Sequence, residues 1–464
     1  MISLKEHLVA PIRIDIGGAP EGSDALAIAE FLSESPTRDV LYIARDESRM
    51  LAMEDALRFF SPNEKFLRFP AWDCLPYDRV SPKKEVISRR LRTLIALSDS
   101  STSMDRKVLL TTCNAAIQRV SGALMSDTAY FQLEVASSVK RNEFRDYLNR
   151  NGYVRTGTVM EPGEYAIRGG IVDLYPSDFD FPVRIDFFGD TIDSIRDFDP
   201  LTQRSTDKRE VVELIPGSEV LLDEKSIARF RTQYRNLFGA ITGNDPLYDS
   251  VSEGRRYPGM EHWLPLFQGD LRKIFDYLPN ATIFFDHLLE QALEERIAHI
   301  SDFYSARLEA LTTSSSIDAP VYRPVPVDRL FLSKEQWQRE VSSRAVGAFS
   351  IFDAPSSARP SVNLGARYGR DFSPERKRKD TDLFSEVRAH IKDHISLGRK
   401  VIVTCHSEGA LDRLTRLLGE FDIEIAGRAG SWKEILSVSS ACVSLIVLPV
   451  QEGFETTEYT VLSE

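Results

Sequence analysis

The most strand-like part of the chain is the stretch Glu161–Asp199, EPGEYAIRGGIVDLYPSDFDFPVRIDFFGDTIDSIRDFD. Pro, Gly, Asp and Ser separate short runs that are rich in Val, Ile, Phe and Tyr, a pattern typical of short strands joined by turns. Residues alternate along Val183–Phe188, so every second side chain should face a core. The side chains expected on that buried face are Val183, Ile185 and Phe187.

The opposite face of the same strand carries Arg184, Asp186 and Phe188. A large aromatic ring beside an arginine on an exposed surface is the composition of a protein-binding hot spot. The alternative is that Phe188 lies under a loop and Arg184 is a solvated charge, because single exposed apolar residues are common. Gly189 and Asp190 then predict a turn that leads into an antiparallel partner strand.

The composition limits the class of protein. A chain of 464 residues should form roughly two to four domains, and 42% hydrophobic with 28% charged residues is ordinary for a globular protein. No run of about 18 apolar residues is present, and the charged N-terminus lacks the apolar stretch of a signal peptide. The four cysteines are scattered, without a zinc or disulfide spacing. This pattern favours a reducing, cytoplasmic location.

The net charge of −12 argues against nucleic acid as the main partner, because sequence-independent DNA binding depends on Lys and Arg contacts to phosphates. The alternative of a DNA-binding module rests on two basic groups, one formed by Arg89, Arg90 and Arg92 and the other by residues 376–379. A solvated helix face and a solvated linker are the commoner explanations, since no aromatic residues accompany the second group to stack bases.

A glycine-rich loop lies between the first predicted strand and the first long predicted helix, which is the layout of a phosphate-binding loop. Its spacing also matches, with four residues between Gly17 and Gly22. The next two positions should be Lys and Ser or Thr, but they are Ser23 and Asp24, and Glu21 adds a further negative charge. With two carboxylates and no cation, the site should repel a nucleoside triphosphate. The loop is either a nucleotide site that has lost binding or a glycine turn that never bound.

A second nucleotide motif is also incomplete. The apolar run 281–285 is followed by Asp286. An apolar strand that ends in Asp is typical of the nucleotide-site motif in which the carboxylate holds magnesium. The motif needs a carboxylate after that Asp to activate water, but His287 follows. We therefore expect no nucleotide, no metal and no catalytic residue in this chain.

Strands and helices alternate along most of the sequence, which predicts an α/β fold with mostly parallel sheets. Near residue 128 the pattern changes to a helix followed by the strands of Glu161–Asp199. We expect a degenerate P-loop, helicase-like domain that is split by an inserted α+β domain and followed by a small α/β domain. The expected segments are 1–127 and 218–350 for the split domain, 128–217 for the insertion, 351–382 for a polar connection and 383–464 for the last domain. A strand-like run ends directly at Glu464, so the natural chain is expected to continue.

Four long motifs resemble one protein family. They are FPAWDCLPYDRVSPKKEVISRRLRTL (69–94), GEYAIRGGIVDLYP (163–176), RIDFFGDTIDSIRDFDPLTQRS (184–205) and YPGMEHWLPLF (257–267). Through them, essentially the whole chain resembles the N-terminal part of the bacterial transcription-repair coupling factors (Mfd), a region related to the excision-repair subunit UvrB. The UvrB-like module of that family is described as lacking a working ATPase site, in agreement with the two incomplete motifs.

The resemblance implies that the inserted domain recruits UvrA. The family's UvrA-contacting arginine in its RGG strand falls on Arg168, and the arginine and phenylalanine of its next strand fall on Arg184 and Phe188. The last two are the residues that the alternation places on the outer face. We add Asp186, which lies between them and is expected to orient an arginine or to meet a cation on UvrA.

The resemblance also implies partners beyond this chain. Other domains would bind RNA polymerase and double-stranded DNA, an ATP- and magnesium-dependent translocase would displace stalled polymerase, and a C-terminal domain would cover the UvrA-binding face. The present residues would form a non-catalytic adaptor without a cofactor. The competing interpretation is an active UvrB-like, ATP-dependent subunit that binds damaged DNA. Against it stand Ser23 and Asp24 and the segment 74–85, which holds only Tyr77 where UvrB has a longer, tyrosine-rich hairpin.

Overall fold

The computed structural model describes residues 3–9, 11–98, 106–122, 131–241, 245–269, 271–313, 322–354, 359–377, 382–421 and 423–464. Up to residue 122, strands and helices alternate as predicted. The strands are β1 (Arg13–Gly17), β2 (Val40–Ala44), β3 (Phe66–Phe69), β4 (Val108–Thr112) and β5 (Val120–Ser121). The helices are α1 (Leu4–His7), α2 (Ser23–Glu34), α3 (Glu47–Phe60), α4 (Lys84–Ser98) and α5 (Cys113–Ala116). Strands β2 and β4 are buried at every position, which is typical of a sheet covered on both faces.

From residue 131 to residue 214, mainly antiparallel strands surround one helix, α6 (Arg141–Arg150). The strands are β6 (Phe131–Glu134), β7 (Val154–Arg155), β8 (Glu164–Arg168), β9 (Ile171–Leu174), β10 (Val183–Phe188), β11 (Thr191–Phe198), β12 (Ser205–Arg209) and β13 (Val211–Leu214). One sheet has the order β12-β11-β10-β9-β8-β7, and β6 pairs separately with β13. The apolar side chains of α6 pack with the inward residues of β10 in a core of their own.

Helices dominate the next part of the chain. They are α7 (Glu224–Phe238), α8 (Pro246–Ser252), α9 (Leu264–Phe267), α10 (Ile274–Tyr277), α11 (Leu289–Thr313), α12 (Val327–Leu330) and α13 (Lys334–Ser342). The strands of this part are β14 (Leu271–Arg272), β15 (Thr282–Phe285) and β16 (Val346–Phe349).

Residues 351–382, predicted as a polar connection, contain regular structure. They form β17 (Ser361–Asn363), β18 (Arg367–Tyr368) and the short helix α14 (Ser373–Lys377). Only the central residue of β17 is buried, so no hydrophobic pattern in the sequence signals this strand. In the predicted basic cluster 376–379, residues 378 and 379 lie outside the described residues.

The last part of the chain contains both helices and strands. Its helices are α15 (Leu383–Ser396), α16 (Glu408–Glu420) and α17 (Trp432–Ser437), and its strands are β19 (Lys400–Cys405), β20 (Ile425–Arg428), β21 (Val443–Val447), β22 (Phe454–Glu455) and β23 (Tyr459–Ser463). The sheet order is β18-β22-β23-β19-β21-β20. Strands β23, β19, β21 and β20 run parallel, whereas the pairs β18–β22 and β22–β23 are antiparallel.

One large parallel sheet unites the two sides of the 131–214 segment. Its order is β17-β1-β16-β15-β2-β4-β3, and every neighbouring pair is parallel. The strands β15 and β16, which follow the 131–214 segment in sequence, lie between β1 and β2, which precede it. The predicted α/β class with parallel sheets is therefore confirmed.

A hydrophobic cluster joins the last domain to the large sheet. It contains Met53 and Leu57 of α3 together with Leu448, Val450 and Phe454 of the last domain. The Trp432 ring also meets the Phe60 ring edge-on, with centroids 5.0 Å apart. The last domain thus packs on the α3 side of the large sheet. Within the described ranges, the structure has no helix that is both long and apolar enough to cross a membrane.

Candidate functional site

The end of the hairpin β10–β11 exposes an aromatic side chain. Burial alternates along β10 as predicted, with the apolar residues on the inner face and Phe188 84% exposed. A register shift lies between Asp186 and Phe187. The ring of Phe188 therefore lies in solvent at the turn, and not under a loop. We use the term docking surface for Phe188 together with Arg168, Arg184 and Asp186.

Arg184 is held by its own domain. Its Nε donates to Asp173 Oδ1 (2.7 Å) and its Nη2 donates to Asp173 Oδ2 (3.0 Å). Its Nη1 donates to the carbonyl oxygen of Gln203 (3.1 Å), and the guanidinium lies 4.8 Å from the centre of the Phe198 ring. The hydrogen bond to buried Asp173 raises the pKa of Arg184 above its ordinary value. The alternative of a freely solvated Arg184 is therefore wrong.

Arg168 ends β8 beside the end of β10. The Phe187 amide donates to the carbonyl oxygen of Gly170 (2.8 Å), so the β8–β9 turn contacts the last residues of β10. Arg168 is exposed, and its Nη2 donates to the carbonyl oxygen of Gly157 (2.6 Å) and to Thr158 Oγ1 (3.0 Å). An exposed guanidinium thus lies at the same end of the sheet as the exposed aromatic ring.

Asp186 pairs with an arginine that the sequence did not identify. Its Oδ2 accepts a hydrogen bond from Ser194 Oγ (2.9 Å) and forms an ion pair with Arg196 of β11. Arg196 lies directly opposite Arg184 in the β10–β11 register. Finding it from the sequence would have required the position of the register shift. Asp186 therefore orients an arginine of the neighbouring strand.

In the glycine loop, the chain's own carboxylate takes the backbone donors. Gly22, with φ +93°, precedes α2, and Asp24 Oδ1 accepts from the amides of Gly22 (2.9 Å) and Ala25 (2.7 Å). Amides at this position of a phosphate-binding loop would donate to phosphate oxygens. The Ser23 hydroxyl donates to the carbonyl oxygen of Pro20 (2.7 Å). Burial raises the pKa of Asp24 to about 6.

The prediction that no cation lies near this loop is wrong. Arg45 Nη2 lies 2.9 Å from Glu21 Oε1, and Arg45 Nη1 lies 3.3 Å from Asp286 Oδ2. Arg49 forms an ion pair with Asp24, and its Nε lies 3.2 Å from Asp286 Oδ1. The carboxyl ends of the parallel strands β1, β2 and β15 meet at one edge of the sheet, which brings these residues together from distant positions. Two guanidiniums thus lie among the carboxylates of Glu21, Asp24 and Asp286.

The last domain closes the glycine loop. A Cβ atom at Gly22 would lie 2.9 Å from Phe454 Cε1 and 3.5 Å from Val450 Cγ1, so only glycine allows this approach. The cleft beside the loop is lined by both domains and has a volume of about 120 Å³. Small-molecule pockets generally begin at about 300 Å³.

The arginines of α4 do not lie together on one exposed face of the helix. They formed part of the alternative interpretation as a DNA-binding module. Arg90 is completely buried, and its Nε donates to Glu219 Oε1 (2.5 Å). Its guanidinium lies 4.2 Å from the centre of the Phe69 ring. Arg92 forms an ion pair with Asp178. Arg90 therefore joins two parts of the core and cannot reach a ligand.

One family match covers the segment that carries the docking surface. Residues 131–219 match the family described as the UvrB interaction domain. This range contains β6 to β13 and therefore the whole docking surface. The chain is thus a parallel α/β protein, and its residues 131–219 are similar to the UvrB interaction domain.

Curated relatives make the assignment more specific. The chain is 29% identical over 441 residues to the transcription-repair-coupling factor of Haemophilus influenzae, with 95% of this chain and 36% of that protein covered. It is 28% identical over 436 residues to the transcription-repair-coupling factor of Rickettsia bellii, with 93% of this chain and 36% of that protein covered. It is 33% identical over 267 residues to the transcription-repair-coupling factor of Escherichia coli K12, with 57% of this chain and 23% of that protein covered. The chain is therefore homologous along most of its length to transcription-repair-coupling factors, and it spans about a third of the length of the first two. A solved structure described as an XPD helicase aligns with 96% of this chain and 79% of its own, with a TM-score of 0.23 and 9% identity, values too low to indicate a common fold.

Proposed function

We propose that this chain is the N-terminal, non-catalytic adaptor module of a transcription-repair coupling factor, and that it recruits UvrA of nucleotide excision repair. The observation that carries the proposal is the UvrB interaction domain at 131–219, whose sheet exposes Phe188 at one end. In the longer parent protein, other domains would bind stalled RNA polymerase and double-stranded DNA. An ATP-dependent translocase there would displace the polymerase, and a C-terminal domain would cover the UvrA-binding face until then.

Phe188 is the central anchor of the proposed contact. Burial of this 84% exposed ring by a partner would be favourable, because its apolar area would leave water. Arg168 lies at the same end of the sheet and offers a guanidinium to carboxylate or carbonyl oxygens of UvrA. Arg184 is already ordered by its bidentate pair with Asp173, so it loses little side-chain entropy on binding.

In the same proposal, the glycine loop binds no nucleotide. Three features support this part: Asp24 occupies the backbone donors, carboxylates face both Arg45 and Arg49, and Phe454 closes the loop. Tyr77, the one tyrosine in the segment where UvrB has its hairpin, is 1% exposed, which disfavours the alternative of a UvrB-like subunit. Calorimetric titration with ATP and Mg²⁺ tests this part, since micromolar binding would contradict it.

Titration of purified UvrA with the whole chain tests the adaptor role. Phe188→Ala and Arg184→Ala are each expected to weaken binding by roughly 2 kcal/mol, or about 30-fold, as central anchors do. Phe352→Ala serves as the matched control, because this phenylalanine is 69% exposed and lies outside residues 131–219. Unchanged UvrA affinity of both docking-surface variants, with native circular dichroism, would refute the proposal.

A further inference from the structure

Two histidines and a glutamate, none of which belongs to the docking surface, converge inside the last domain. His390 and His394 lie one turn apart on α15 and face Glu455 of β22. His390 Nε2 lies 3.8 Å from Glu455 Oε1, and His394 Nε2 lies 3.7 Å from the same oxygen. All three residues are buried, with 9%, 7% and 5% of their surfaces exposed. This arrangement offers three ligand atoms within 4.8 Å of one another.

The spacing fits coordination better than hydrogen bonding. Both nitrogen–oxygen distances exceed the limit of about 3.2 Å for a good N–H···O hydrogen bond. Around a tetrahedral zinc ion, with bonds of about 2.0–2.1 Å, neighbouring ligand atoms lie about 3.4 Å apart. Shifts of a few tenths of an ångström would therefore bring Glu455 Oε1 to that spacing from each Nε2 atom. Among the described residues, His390 Nε2 has no hydrogen-bond partner, which is unusual for a buried nitrogen.

Residues around the cluster orient these ligands. His394 Nδ1 lies 2.7 Å from Thr460 Oγ1, so an Nδ1–H group would donate to Thr460 and leave Nε2 with its lone pair. Arg367 and Arg399 hold Glu455 Oε2, which leaves Oε1 toward the histidines. Arg399 Nη1 also lies 3.1 Å from His394 Nδ1, and since a guanidinium only donates, this contact would have to be given up for Nδ1–H to donate to Thr460. The positive charge of these arginines weakens cation binding, although Arg367 is 73% exposed and well screened by solvent.

We propose that His390 Nε2, His394 Nε2 and Glu455 Oε1 bind one divalent transition-metal ion, with Zn²⁺ as the best match to this ligand set. Water would take the fourth position. The ion would fasten α15 to β22, and the residue before Glu455 is Phe454, which closes the glycine loop. The site would therefore stabilise the last domain where it meets the large sheet.

Calorimetric titration of the whole chelator-treated chain with Zn²⁺ tests this site. One Zn²⁺ per chain is expected, and Co²⁺ should give the intense visible absorption of a tetrahedral site. Substitutions of outer-shell residues commonly cost 10- to 100-fold in affinity, so His394→Gln and Glu455→Gln should each lower Zn²⁺ affinity by about 100-fold or more. The matched control is His406→Gln, because His406 is an exposed histidine of the same domain.

The thermal transition of the wild-type chain gives a second measure that does not depend on any variant. Saturating Zn²⁺ should raise the midpoint temperature of this transition, because an ion that binds only the folded state stabilises that state. No stoichiometric binding by the wild-type chain below millimolar Zn²⁺ would overturn the site. Equal affinity in His394→Gln and the wild type would also overturn it, because the ion would then bind elsewhere.

Discussion

The glycine loop and the docking surface are both rich in charged side chains but use them in opposite ways. At the loop, Arg49 and Asp24 are almost completely buried and face one another. At the docking surface, Arg184 and Asp186 are held in internal pairs with Asp173 and Arg196, while Phe188 and Arg168 face solvent. Charges that satisfy one another inside the fold contribute to stability and have little left to offer a ligand. Side chains that remain in solvent contribute little to stability and are available to a partner.

Removal of Arg49 should have the largest effect on stability. Arg49→Ala takes away the guanidinium that faces the buried carboxylate of Asp24 and leaves Asp286 with Arg45. Breaking a buried ion pair from one side costs about 3–5 kcal/mol. Urea unfolding followed by circular dichroism measures this loss of unfolding free energy. The control is Arg255→Ala, which removes an exposed pair with Glu253 and should cost no more than about 1 kcal/mol. If both variants lost the same unfolding free energy, the buried charges of the glycine loop would contribute no more to stability than exposed ones, and the contrast with the docking surface would disappear.

Asp173→Asn should have an intermediate effect. The change removes the charge that holds Arg184 in a bidentate pair and leaves a buried amide in its place, so the unfolding free energy should fall by about 1–3 kcal/mol. UvrA titration of the same variant sharpens the comparison. If the internal pair preorders Arg184 for binding, UvrA affinity should also fall, although Asp173 itself is buried and cannot touch a partner. A variant that loses stability but keeps full affinity would show that Arg184 serves only the fold.

The sequence predicted the local features of both regions but not their long-range partners. Alternation along β10 identified the outward face of Phe188 because the period of a strand is a local property. The loop spacing likewise located Asp24 and the missing lysine. The positions of Arg45 and Arg49 beside the loop could not be predicted, because they depend on the order of strands in the large sheet. The closure by Phe454 was equally hidden, since more than 400 residues separate it from Gly22.

The acidity of Asp24 gives a smaller, pH-dependent effect. Burial raises its pKa to about 6 in the folded chain, against about 3.9 for an unfolded Asp. Between these values the folded chain holds a proton that the unfolded chain has released, so this group's contribution to stability decreases as the pH rises. The measurement compares the unfolding free energies of the wild type and of Asp24→Asn. The wild-type value minus the variant value should fall by about 1 kcal/mol between pH 5 and 6. A difference that stays flat or increases across this interval would show that Arg49 keeps Asp24 ionised throughout.

Truncation of Phe188 should have the smallest effect on stability, although it has a large expected effect on UvrA binding. A ring that is 84% exposed loses almost no buried area on substitution, so Phe188→Ala should change the unfolding free energy by less than about 0.5 kcal/mol. Phe187→Ala is the adjacent control, because this ring is 8% exposed within the domain core and should cost about 3–5 kcal/mol. Urea unfolding of the two variants compares neighbouring phenylalanines on opposite faces of one strand. If Phe188→Ala were as destabilising as Phe187→Ala, the ring would be part of the fold, and its exposure could not be attributed to docking.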